Sequence, residues 1–192
     1  NEDLPHVLVK CKISKDFWNM RHNAIVYFLA SQIRIHTDAE VTIDDICQFT
    51  GSKKRVDLVL KYERNSTILL VDVKCPYQTD KCIENADEAN RFYYADLASN
   101  IRSVMPLWTV SVMTVAVGTP GTWPKLSTKT LHNIGSRSET IHTIARHCIL
   151  SNIKWTNAQW RFHRDGIMPD VSHLTKNIDL IPALCEPDQQ VQ

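Results

Sequence analysis

Asp57, Asp72 and Lys74 have types and a spacing suited to chemistry, because each stands in or beside an otherwise apolar run. The runs are "RVDLVLKY" and "STILLVDVKCPY", residues 55–62 and 66–77. Side chains two apart on a strand share a face, so Asp72 and Lys74 project together while Val71 and Val73 point away. Pairing the runs as a hairpin lays Asp57 near Asp72, which collects two carboxylates and an ammonium at one end of a sheet. An unpartnered charge buried there costs on the order of several kcal/mol. A hard divalent cation compensates: Asp57, Asp72 and the Val73 main-chain carbonyl offer oxygen ligands to Mg²⁺, or to Mn²⁺, and leave positions for water and phosphate. Such a metal activates water and neutralises a phosphoryl oxygen, and a lysine beside it orients or deprotonates that water. Hydrolysis of a phosphodiester is the reaction this set suits. The competing reading is a structural Asp72–Lys74 ion pair with Asp57 at a strand end.

The elements around these residues follow from periodicity. Ser14 stands where a helix cap is expected, Asp16 falls in the first turn, and Trp18, Ile25, Leu29 and Ile33 recur at helical spacing, with Arg21 and His22 beside that stripe. "EVTIDDICQF" reads as a short edge strand, and "ERNS" as the hairpin connection. Both central runs are apolar at odd and even positions, the pattern of strands covered on two faces. After Pro76, one long amphipathic helix is predicted with Ala86, Asn90, Tyr93, Leu97, Ile101 and Val104 on its stripe. "LWTVSVMTVAVGTP" reads as a further strand, and Ser136 with Glu139 has capping-box spacing ahead of a last helix. The stretch from residue 169 is less regular. The order implies an α/β chain with a central mixed sheet flanked by helices.

The chain has 192 residues and a formal net charge of +1, so bulk charge draws it to no polyanion and local clusters must carry any such argument. Its six cysteines, at 11, 47, 75, 82, 148 and 185, lack the tight spacing of a secreted disulfide scaffold, which points to a reducing compartment. No apolar run approaches a membrane span and no leader is evident, so a soluble intracellular protein without a membrane partner is expected. The start on "NEDLPHVLVKC", without Met, reads as a fragment whose partners lie elsewhere.

Asp57 followed, fifteen residues on, by Asp72-Val73-Lys74 resembles the PD-(D/E)xK core of restriction-like nucleases, with Val56 where that family usually has proline. The stretch "HVLVKCKISKDFWNMRHNAIVYFL", with "DEANRFYYADL" and "VAVGTPGTW", is similar to the restriction-like endonuclease of early-branching, site-specific non-LTR retrotransposons. The likeness spans residues 6 to about 164. It implies a core of helix, three-stranded sheet, helix and further strands. It also implies that residues 1–13 are the tail of a truncated CCHC zinc knuckle, ending in His6 and Cys11, and that residues 14–192 are the endonuclease domain. Without the knuckle's first cysteine pair, His6 and Cys11 cannot close a four-ligand zinc site. The implied activity is nicking of double-stranded target DNA to prime reverse transcription. The implied partners are the reverse transcriptase and DNA-binding domains of the same polyprotein, in the nucleus.

In relatives of this endonuclease the catalytic lysine commonly comes from the helix after the second aspartate, where Arg91 precedes Tyr94 and Leu97 here; Lys74 is preferred, with Arg91 and Tyr94 as DNA contacts. Arg91 also has Asp87 at i−4 for a plain surface pair. Arg21 and His22 read either as contacts to the scissile phosphate or as anchors of their helix. Lys53, Lys54 and Arg55, in "GSKKR", either touch the DNA backbone or form a solvated turn. Residues 154–164, "KWTNAQWRFHR", interleave aromatics with cations, which suits either bases and phosphates or a core with a basic rim. Two rivals remain: another PD-(D/E)xK nuclease, of Holliday-junction resolvase or restriction type, and an inactive nucleic-acid or protein binding module of the same fold.

Overall fold

Patterns of period two and period 3.6 alternate along the chain, and the computed structural model, which describes residues 4–9, 11–45, 53–77, 82–167 and 169–171, turns them into strands and helices. In chain order these are α1 (Leu4–Val9), α2 (Lys15–His36), β1 (Glu40–Asp45), β2 (Val56–Tyr62), β3 (Thr67–Lys74), α3 (Cys82–Tyr93), α4 (Ala95–Val104), β4 (Thr109–Ala116), α5 (Lys125–Asn133) and α6 (Ser138–Asp165). The resemblance implies a helix, a three-stranded sheet, a helix and further strands; among the described residues one further strand, β4, follows, and then two helices. The later part of the expected edge strand, the start of the basic turn and the stretch from residue 172 lie outside the described residues.

The sheet order is β1-β2-β3-β4. β1 and β2 are antiparallel, β2 and β3 form the expected hairpin from Leu58 opposite Val71 to Tyr62 opposite Thr67, and β4 runs parallel to β3 with Asp72 beside Thr114. The hairpin turns through a short 3₁₀ segment, Glu63–Asn65, and Ser66 at φ 48. The sheet is therefore mixed, as the element order implied.

Both faces are covered. Leu69, Val71 and Val73 of β3 pack with Ile25, Leu29 and Ile33 of α2 and Ile141, Ile144 and Cys148 of α6. Ile68 and Leu70 face the other way, onto Tyr94, Leu97, Ala98 and Ile101. Each fully buried aliphatic side chain contributes roughly 1.5–3 kcal/mol, so the two-sided apolar pattern is what holds the layers together. Among the described residues no helix is long and apolar enough to cross a membrane.

Four local expectations are corrected. The single long helix after Pro76 is two, α3 and α4, divided at Tyr94, whose ψ of 7 departs from the helix. Hydrogen bonds of 2.9 Å from Tyr94 to Asn90 and from Ala98 to Tyr94 carry the helical rhythm across the break. The buried stripe accordingly uses Tyr94 (4% exposed), whereas Tyr93 (51%) and Val104 (55%) face outward. Ser14 occupies the N-cap position of α2 without a side-chain bond, and α6 starts behind Arg137 rather than Ser136; both serine hydroxyls are buried without a partner among the described residues. On α2 it is Phe17, not Trp18, that enters the core, against Trp155.

Candidate active site

The end of the sheet where Asp57, Asp72 and Lys74 gather is built on a fault in β2. Leu58 packs with the α2 side, yet Val56, two residues earlier, packs with Tyr94 and Leu97 on the opposite side. Alternation therefore fails at Asp57. The ladder pairs Ile43 with Leu58 and Asp45 with Val56, so the residue across from Asp57 is Asp44, itself irregular at φ 52. Freed from strict alternation, the Asp57 carboxylate turns along the strand end: its Oδ2 accepts the Val73 N–H at 2.6 Å and lies 3.2 Å from His22 Nε2.

Asp72 lies on the α3–α4 face of β3, as its parity requires, with only 3% of its surface exposed. Asn90 Nδ2 donates to its Oδ2 at 2.7 Å, the Tyr94 hydroxyl is 3.0 Å from its Oδ1, and Lys74 Nζ lies 2.8 Å from Oδ2. Burial is the largest influence on its acidity, followed by the Asp57 charge, and together they raise its pKa against the pull of Lys74 and Tyr94. The Tyr94 hydroxyl also lies 2.8 Å from the Arg55 carbonyl, so one phenolic proton faces two acceptors. Burial, then the neighbouring Asp72 charge and hydrogen bond, keep the phenol itself protonated.

His22 joins this group from α2. Its Nε2 lies 3.1 Å from the Val73 carbonyl as well as facing Asp57, and its Nδ1 is 3.3 Å from Asn23 Oδ1. Burial works against a charged imidazole, but Asp57, Asn23 and the Val73 carbonyl outweigh it and the pKa is raised above its usual value.

The residues singled out in the sequence thus divide. Asp57, Asp72, Lys74, the Val73 carbonyl, His22 and Tyr94 converge at one sheet end. Tyr94 is buried beneath Asp72, which corrects its expected role as a DNA contact to a support. Of the two readings of Arg21, the structure shows the helix anchor: 2% exposed, it donates to Thr156 Oγ1 and Gln159 Oε1 at 3.3 Å and to the Leu8 carbonyl at 3.1 Å, bolting α2 to α6 and α1. Arg91 makes the surface pair with Asp87 at 2.9 Å. Lys53 is exposed. Lys54 pairs with Asp96 at 2.6 Å and donates to the Tyr93 carbonyl, while Arg55 pairs with Asp44 at 2.9 Å. Residues 154–164 split: Trp155 is core, Phe162 packs on Phe17, and Trp160 is 38% exposed.

Asn90 and Thr114 were not foreseen as part of the site, although Asn90 donates to both Asp72 and, at 3.1 Å, Thr114 Oγ1. The available signal was an amide on an apolar helical stripe, since a buried amide must find partners.

Among the described residues no cluster of three or more His, Cys, Asp or Glu is arranged to hold a metal. For zinc, Cys11 Sγ lies 3.7 Å from His163 Nδ1 and its N–H donates to the His6 carbonyl, which leaves His6 and Cys11 an incomplete set. A hard dication is a different case. Asp57 Oδ1 has no hydrogen-bond partner among the described residues, the Val73 carbonyl has a second lone pair beside His22, and two neighbouring carboxylates repel. That donor set fits an ion that takes its remaining ligands from water and substrate.

Fold and site together define an α/β protein with a four-stranded mixed sheet flanked by helices, with two aspartates and a lysine gathered at one sheet end. No known protein family and no curated protein matches the chain. Among solved structures, it is similar to one described as "Structure and function of phenuiviridae cap snatching endonucleases", with a TM-score of 0.42 and 14% identity over 70% of this chain. The match spans 64% of that protein, less than two thirds of its length. A likeness at that level leaves the chemistry to be argued from the side chains themselves.

Proposed function

We propose that this chain is a metal-dependent DNA endonuclease domain, with Asp57, Asp72 and Lys74 as its catalytic residues. The observation that carries the reading is the convergence of two carboxylates from adjacent strands with Lys74 Nζ, 2.8 Å from Asp72, at one sheet end. Asp57, Asp72 and the Val73 carbonyl would hold Mg²⁺ or Mn²⁺, which supplies charge neutralisation at a phosphoryl oxygen and a more acidic water. Asn90 and Tyr94 hold the Asp72 carboxylate in place, and Val73 N–H does so for Asp57. Lys74, with 43% of its side chain exposed, is free to meet a water or a phosphate oxygen from its anchor on Asp72. His22 fixes the Asp57 rim of the site through Oδ2.

The resemblance to retrotransposon endonucleases supports a finer version: a nick in double-stranded target DNA whose 3′ hydroxyl primes synthesis by a reverse transcriptase domain of the same polyprotein, in the nucleus. A net charge of +1 suits a module whose DNA is presented by neighbouring domains. One observation favours the rival of an inactive binding module: Asp72 is 3% exposed and both its oxygens are already engaged.

Nicking of supercoiled plasmid in Mg²⁺ or Mn²⁺ decides between them. Cleavage that EDTA, Asp72→Ala and Lys74→Ala each abolish supports the nuclease. A folded wild type that leaves plasmid intact in both metals, and binds DNA no better than Asp72→Ala does, supports the binding module.

A further inference from the structure

α6 carries a long basic face that the catalytic group does not use. Between Glu139 and Asp165 the helix has no acidic residue, while Arg146, Lys154, Arg161 and Arg164 are all exposed. At roughly 100° per residue these four fall within one arc of about 80°, opposite the buried Ile144, Cys148 and Trp155. Arg146 and Arg161 are fifteen residues apart, so the row is about 22 Å long at 1.5 Å per residue.

Their partners distinguish these cations from the others. Lys54, Arg55, Lys61 and Arg91 each have a carboxylate within ion-pair distance, from Asp96, Asp44, Glu63 and Asp87. Arg164 is bidentate with Asp165, at 2.6 and 2.7 Å, and Asp165 also feels the charge of Arg161. Arg146, Lys154 and Arg161 have no carboxylate at ion-pair distance among the described residues. A row of like charges repels itself, and a partner with regularly spaced negative charge relieves that repulsion.

The helix is tied, through its inward side rather than through this face, to the end of the sheet where the proposed catalytic residues gather. Thr119 Oγ1 donates to the carbonyls of Cys75 and Pro76, which follow Lys74 directly, at 2.9 and 3.0 Å. In turn Thr156 donates to the Thr119 carbonyl at 3.1 Å, and Asn152 to the Gly118 carbonyl at 2.7 Å. The middle of α6 is therefore fixed to the loop that borders the site.

We propose that the outward face of α6, through Arg146, Lys154 and Arg161, binds the phosphate backbone of duplex DNA. This deepens the nuclease reading by giving the substrate a further contact on the α2–α6 side of the sheet, and it rests on that reading for the identity of the duplex.

The test is anisotropy of a labelled duplex of about 20 bp in EDTA, titrated with the full chain from about 50 to 200 mM salt. The variant is the triple Arg146→Gln, Lys154→Gln, Arg161→Gln, with its circular dichroism melt checked against wild type. Each lost phosphate contact reduces the slope of log K against log salt by about 0.9, so the triple variant should be shallower by about 2–3 and bind at least about tenfold more weakly. The charge-preserving swap Arg146→Lys, Lys154→Arg, Arg161→Lys should keep the slope. An unchanged slope in the Gln variant overturns the proposal, as does affinity lost equally at all salts, which would mark a protein-facing surface. A chain that shows the slope change but never nicks plasmid refutes only the nuclease reading. One that nicks with an unchanged slope refutes only this one.

Discussion

His22 of α2 and Asp57 of β2 meet at 3.2 Å, and this contact joins the first long helix to the end of the sheet where the carboxylates gather. The helix does more than cover the core: it supplies an imidazole to the rim of the site. Burial alone would lower the His22 pKa, so its net rise depends on Asp57. A raised folded-state pKa means that the protonated form stabilises the fold below the unfolded value of about 6.5 and that this contribution is lost as pH rises through the folded pKa. An NMR titration should place the His22 midpoint above 6.5 in wild type and lower it in Asp57→Asn. A midpoint that does not respond to Asp57→Asn would refute the coupling.

Asn90 holds Asp72 and Thr114 together beneath the sheet. Asn90→Leu should destabilise the protein by about 1–3 kcal/mol in urea unfolding, because it strands a buried carboxylate and hydroxyl. Tyr94→Phe removes one hydroxyl and keeps the ring, so about 0.5–1.5 kcal/mol is expected.

In the nuclease proposed above, Lys74 and Arg91 are the two candidates for the basic role, and they differ in what they touch. Lys74 touches Asp72, while Arg91 pairs with Asp87 with 65% of its side chain exposed. Plasmid nicking by Lys74→Ala should fall by about 10²-fold or more, and by Arg91→Ala by no more than about twofold. The reverse order would move the catalytic cation to α3.

Gly121 adopts φ +93, and a Cβ there would lie 2.6 Å from the Ile153 side chain. Gly121→Ala should therefore cost about 1–3 kcal/mol, with Ile153→Ala in the same chain recovering only the steric share and not the backbone strain. Differential scanning of the single and double variants measures the division.

Trp155 and Trp160 lie five residues apart on α6 but belong to different surfaces, 1% and 38% exposed. Trp155→Ala should lower stability by about 3–5 kcal/mol, whereas Trp160→Ala should stay within about 0.5 kcal/mol of wild type. Chemical denaturation that ranks them equally would contradict the burial of α6.

Much of the fold could be read from the amino acids alone, because periodicity depends on nearest neighbours. The two-sided apolar runs determine the hairpin and its covering layers, and the parity of Asp72 and Lys74 determines that they share a face. The basic composition of α6 is likewise plain in the chain. What lay beyond the sequence depended on contacts between residues distant along it. The break at Tyr94 arises because its hydroxyl reaches Arg55 and Asp72, and Arg21 turns inward because Thr156, Gln159 and Leu8 receive it. Ser14 stands at the N-cap of α2 without using its hydroxyl, and α6 begins two residues beyond Ser136; both hydroxyls are buried without a partner among the described residues. Local spacing determined which residues had the right chemistry; only tertiary structure decided which of them meet, since contacts between residues far apart in the chain depend on how the layers pack.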